Sequence, residues 1–169
     1  MSVTGDKITA FIRKEARANI RNNIILNSLF TYLGNRGMSP TVLEGGGVAT
    51  DTVSTCIFMS LIMTLFTSMA VKKALASGEL LAHDLALPEN SPLRMLPIKP
   101  WLLGLCMGPM MAVAFMPWVV GFCHLIGLHT LSFWQVLAVK AFYTFCITII
   151  VIKWVVLRLL NYYANQREA

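Results

Sequence analysis

The stretch SFWQVLAVKAFYTFCITIIVIKWVVLRLL, residues 132–160, carries no charged side chain between Ala141 and Ile152. It is long enough for a hydrocarbon layer of about 30 Å, which takes about 20 helical residues to cross. Two further apolar blocks, residues 53–71 and 101–128, have the same character. A buried helix of a water-soluble protein keeps a polar face, and these blocks keep almost none. Composition agrees, since 56% of the 169 residues are hydrophobic and 13% charged, against roughly 25% charged in soluble domains. The chain therefore reads as an all-α, polytopic membrane protein forming a single membrane domain over residues 1–169.

Lys140 breaks the stretch eight residues after its start, and Asp51 stands at the head of the second apolar block. An ionisable group at membrane depth costs at least ~2.5 kcal/mol on insertion scales, so it persists with a partner, a water-filled cavity or a task. Three arrangements follow. The two groups reach the outer boundary separately, or they form a structural ion pair between helices, or they form a gate or proton-coupled site tuned by burial.

The net charge of +6 raises nucleic acid as a partner, and the placement of the charges argues against it. All 14 Lys and Arg except Arg36 and Lys140 fall in the N-terminal segment, in the segment 72–100, or in the chain's last part from Lys153 onward. Basic residues held on the cytoplasmic side give this distribution. Its natural partner is a bilayer with anionic headgroups. The same distribution bears on the number of spans. Residues 22–35 are thin for a crossing, but only if they cross do the basic clusters share one side. The expected plan is four spans, 22–35, 49–71, 101–127 and 133–157, arranged as two helical hairpins with both termini cytoplasmic and a cytoplasmic loop at 72–100. A re-entrant helix at 22–35 is the alternative. Trp101 and Trp154 then mark the inner boundary and Trp118 and Trp134 the outer one, where Trp prefers to lie.

Gly34, Asn35, Arg36 and Gly37, with Ser39, Pro40 and the triplet Gly45, Gly46 and Gly47, predict a flexible outer loop. Gly78, Pro88, Pro92, Pro97 and Pro100 predict an inner one, with a short amphipathic turn at 80–87, and a tight turn is expected at 127–132. An internal duplication matches Asp51 to Lys140 at an offset of 89 and Cys56 to Cys146 at 90, so no single offset serves both. Residues 1–21 predict a basic amphipathic helix lying in the membrane interface, with Ile8, Phe11 and Ile12 on its apolar side. No signal-peptide cleavage pattern follows, and the helix is expected to be retained.

Polar residues recur at helical spacing within the spans. Asn19, Asn23, Asn27 and Thr31 form one stripe, Ser60, Thr64 and Thr67 a second, and Lys140, Thr144 and Thr148 a third. Interhelical hydrogen bonding explains such stripes, and a polar track between helices is the functional alternative. In the third block Pro109 and Pro117 remove backbone donors, and Gly104 and Gly108 form a G-x-x-x-G that permits close helix approach.

Soft sulfur donors suit Cu(I), and Cys106, Met107 and Met111 are the candidate ligands. The Met107 to Met111 spacing resembles the M-x-x-x-M of copper-uptake channels. The resemblance stops there, since a Met-rich N-terminal tail is lacking and G-x-x-x-G lies on a different span. Among Cys56, Cys106, Cys123 and Cys146 there is no C-x-x-C, and of His83, His124 and His129 only His124 falls in a span, which disfavours thiol oxidation and b-type haem. No phosphate-binding loop, zinc motif or nucleophile elbow is present. No cofactor or resident metal is expected. The sequence thus predicts a small, non-enzymatic integral membrane protein acting as a homo-oligomer or as an accessory subunit of a membrane complex. A small transporter or channel using Asp51, Lys140, Thr144, Thr148, Asn23 and Asn27 is the alternative. Compact loops and short tails point to a bacterial cytoplasmic (inner) membrane.

Overall fold

The computed structural model describes residues 3–34, 41–42, 47–81, 91–127 and 130–168. Most of the glycine-rich outer loop and most of the turn expected at 80–87, with His83 and His129, lie outside the described residues. Among the described residues there are four α-helices: α1 (Val3–Gly34), α2 (Gly47–Ala76), α3 (Pro100–Leu125) and α4 (Phe133–Glu168). Three of them are long and apolar enough to cross a membrane, over Ala49–Ala76, Pro100–Leu125 and Phe133–Tyr163. α1, which takes in the thin stretch as far as Gly34, is not among them.

The helices stop where the backbone can reverse. Gly78 and Gly127 adopt φ values of 74° and 71°, a left-handed conformation that costs glycine nothing, directly after the ends of α2 and α3. α3 begins at Pro100, in a first-turn position that suits a residue without an N–H, after a short 3-10 turn at Pro92–Met95. It runs on through Pro109 and Pro117 as one helix.

Contacts at two ends fix how the helices run. At one end the two-residue strands β1 (Thr41–Val42) and β2 (Thr130–Leu131) pair antiparallel, tying the connection after α1 to the connection before α4. Tyr32 near the end of α1 meets Phe133 at the start of α4 edge-on, with ring centroids 6.5 Å apart. At the other end Lys14 of α1 pairs with Glu79 just after α2, and Arg158 of α4 bonds to Leu96 just before α3. Helices consecutive in the chain therefore run in opposite directions, and α2 and α4, which pack against each other, run parallel.

The closest packing is between α2 and α3, because α3 turns its glycines to α2. A Cβ on Gly104 would lie 2.8 Å from the Leu61 Cα, and one on Gly108 2.7 Å from the Ile57 Cα. α4 packs on both α2 and α1, whereas α1 and α2 barely touch. The most buried stretch is the inner part of α4, where Val151, Ile152, Val155, Val156, Leu159 and Leu160 are all closed off.

α1 runs unbroken past residue 21, the boundary expected between the amphipathic helix and the thin stretch. It is one helix of about 48 Å. Its buried face changes in character along its length. Ile8, Phe11 and Ala16 are covered by protein at the start, followed by Asn19, Asn23, Asn27 and Thr31. Over the second half the exposed side is apolar instead, with Ile24, Ile25, Leu29 and Tyr32 facing out. A helix in water would not bury asparagines and display isoleucines; one in hydrocarbon gains by doing so. α2 repeats the inversion, burying Ser60, Thr64, Thr67 and Ser68 while exposing Phe58, Phe66 and Met69.

Candidate functional site: a polar seam ending in a buried ion pair

Lys140 points inward from α4, and only 5% of the residue is exposed. Its Nζ lies 2.7 Å from Asp51 Oδ1 on α2. The partners are unequally placed, for the Asp51 side chain is 45% exposed. The ammonium is thus sequestered, and the carboxylate is its route to the solvated end of the bundle. The contact excludes the first of the three arrangements, in which the two groups reach the boundary separately.

Below this pair α4 carries a continuous line of hydrogen bonds. The Thr144 hydroxyl donates to the Lys140 carbonyl and the Thr148 hydroxyl to the Thr144 carbonyl, both at 2.6 Å. Back-bonding of this kind satisfies a threonine inside a helix and leaves its hydroxyl oxygen free to accept. Asn23 of α1 uses that capacity, donating through Nδ2 to Thr148 Oγ1 at 2.8 Å, with Met63 Sδ of α2 at 3.1 Å from the same nitrogen. The seam thus joins α1 to α4 at Asn23 and α4 to α2 at Lys140. Asn27 lies one turn from Asn23 and is buried too, and among the described residues its Nδ2 has no hydrogen-bond partner. The same holds for the buried hydroxyls of Ser60, Thr64, Thr67 and Ser68.

The sulfur candidates separate. Met107 and Met111 are buried on the glycine side of α3, whereas Cys106 is exposed. Adjacent helical positions point about 100° apart, so Met107 and Cys106 cannot share a face. Among the described residues no cluster of three His, Cys, Asp or Glu side chains could hold a metal ion.

Three polar contacts escaped the sequence reading. Nothing in the sequence marks Met63 as the acceptor for Asn23. The Lys14 to Glu79 contact, at 3.1 Å, joins segments 65 residues apart. Beside it burial pushes the Glu15 carboxyl above the usual range, with Lys14 opposing and Glu79 adding to the shift. Arg158 did carry a signal. It is a charge flanked by Leu157, Leu159 and Leu160, and the rule that singled out Lys140 applies to it equally.

No family model, no curated protein and no solved structure matches this chain.

Proposed function

We propose that this chain is a small, non-enzymatic membrane subunit, built to assemble with copies of itself or with another membrane protein. The supporting observation is the closure of Lys140 on Asp51 at 2.7 Å, with the lysine 5% exposed. A charge used for transport needs a polar cavity around it, whereas a charge used for architecture is matched and sealed. Here it is matched by the Asp51 carboxylate, and the seam below it links α1 to α4 through the Asn23 to Thr148 bond. Four helices also enclose little volume. In this reading the basic end faces the cytoplasm of a bacterial inner membrane, α1 crosses beside α4 as a fourth span with its asparagines turned inward, and both termini are cytoplasmic.

The assembly surface in this reading is the outer side of α3, which faces away from α2. Pro117, Trp118, Gly121, Phe122 and Leu125 line a shallow apolar groove there, with Trp118 79% exposed. Gentle extraction of the tagged protein and native mass spectrometry test the proposal. A stable homo-oligomer or a stoichiometric foreign partner is expected. A monomer that carries Lys140-dependent flux in proteoliposomes would overturn it.

One observation favours a second reading, a transporter or channel. Five buried polar atoms, on Asn27, Ser60, Thr64, Thr67 and Ser68, lack hydrogen-bond partners among the described residues. Polar atoms without protein partners in hydrocarbon are costly, and a hydrated track would relieve them.

A further inference from the structure

Arg158 is the second buried cation of α4, and the seam does not use it. Only 7% of the residue is exposed, and its Nε donates to the Leu96 carbonyl at 2.8 Å. Leu96 closes the 3-10 turn Pro92–Met95, so the guanidinium is wedged between α4 and the connection that enters α3. That bond occupies one of five guanidinium donors. Arg158 takes part in neither the Lys14 nor the Lys140 ion pair, and among the described residues it has no carboxylate partner. Its electrostatic neighbour is another cation, Arg94, exposed on the same 3-10 turn.

Depth gives the site its ligand. Trp154 precedes Arg158 by four residues, about 6 Å along the helix, and Trp101 opens α3 just after Lys99. Tryptophan prefers the boundary between hydrocarbon and headgroups, so a cation one turn further out sits at the level of lipid phosphates. Guanidinium groups bind phosphate through paired N–H donors, and a buried one without a carboxylate calls for an anion.

We propose that Arg158 and Arg94, where α4 meets the 3-10 turn, bind the phosphate of an anionic lipid headgroup at the basic end of the bundle. Phosphatidylglycerol is the probe, and phosphatidylcholine, with the same phosphate but no net charge, is the control. The protein is reconstituted into nanodiscs of the two lipids in equal amounts, released, and read by native mass spectrometry for retained lipid. Wild type should keep phosphatidylglycerol in preference to phosphatidylcholine. Arg94→Gln and Arg158→Gln should each lower that retention about fivefold, the effect of one basic residue near an anionic surface. Arg158→Lys should fall between, because it keeps the charge and loses the fork. Arg94 is exposed, so its variant carries the test even if Arg158→Gln does not fold.

Equal retention of both lipids by wild type would overturn the proposal. So would full retention by Arg94→Gln with only a loss of stability in Arg158→Gln, the result expected if Arg158 merely clamps Leu96. Displacement of phosphatidylglycerol by millimolar inorganic phosphate would assign the arginine pair to a soluble anion and overturn the lipid.

Discussion

Lys140 and Asp51 share one hydrogen-bonded contact, but removing either leaves a different residue behind. Lys140→Met leaves a carboxylate that water still reaches, because the Asp51 side chain is 45% exposed. Asp51→Asn leaves a sealed ammonium with no counter-charge, which is the costlier state. Asp51→Asn is therefore expected to destabilise the protein by about 1.5–3 kcal/mol, the range for a hydrogen bond to a charged group, and Lys140→Met by less. The double variant should recover at least ~0.5 kcal/mol relative to the sum of the singles. Reversible unfolding in mixed micelles measures all three, and strictly additive losses would show that the pair contributes no coupling. Both residues are legible in the sequence, since each is a charge at the margin of an apolar block. It could not join them, because contact across 89 residues depends on how α2 and α4 are rotated against each other.

At the scale of the element, α3 shows how spacing becomes packing. G-x-x-x-G places Gly104 and Gly108 one turn apart on one face, and that face lies directly on the α2 backbone. Gly104→Ala and Gly108→Ala put a methyl group closer than 3 Å to a backbone carbon, so the helices must separate, at about 1–3 kcal/mol each. Gly121, on the outer groove and not against α2, is the contrast within one chain. A Cβ there meets nothing within 4 Å, and Gly121→Ala should leave stability unchanged or raise it through helix propensity by up to about 1 kcal/mol. Thermal unfolding of the three variants in one detergent tests the contrast, and an equal loss at Gly121 would show that the cost is not steric. α1 teaches the opposite lesson about legibility. The spacing Phe11, Glu15, Asn19, Asn23, Asn27 and Thr31 runs unbroken through residue 21, so a single helix with one buried face was readable. Dividing it into an interfacial piece and a thin span followed from judging each half by its hydropathy.

Over the whole molecule, the pairing of β1 with β2 and the contacts Lys14 to Glu79 and Arg158 to Leu96 set the ends of α2 on opposite faces of the bundle. With the basic end inside, Thr41→Cys should react with a membrane-impermeant maleimide in intact cells, and Ser77→Cys only after permeabilisation. Labelling of both from one side would mean that α2 does not cross; reversed labelling would turn the protein over. The sequence by itself determined the class of object, three long apolar helices with basic residues gathered between and beyond them, because the hydrophobic effect and the cost of burying charge depend on composition along a single segment. It also determined which polar residues would be expensive to bury. Only the tertiary structure decided which of them meet. Lys140 closes on Asp51, Asn23 reaches Thr148, and Arg158 stays with a carbonyl and a second arginine. Such contacts depend on the rotation and depth of each helix against its neighbours, and packing over the whole bundle sets those.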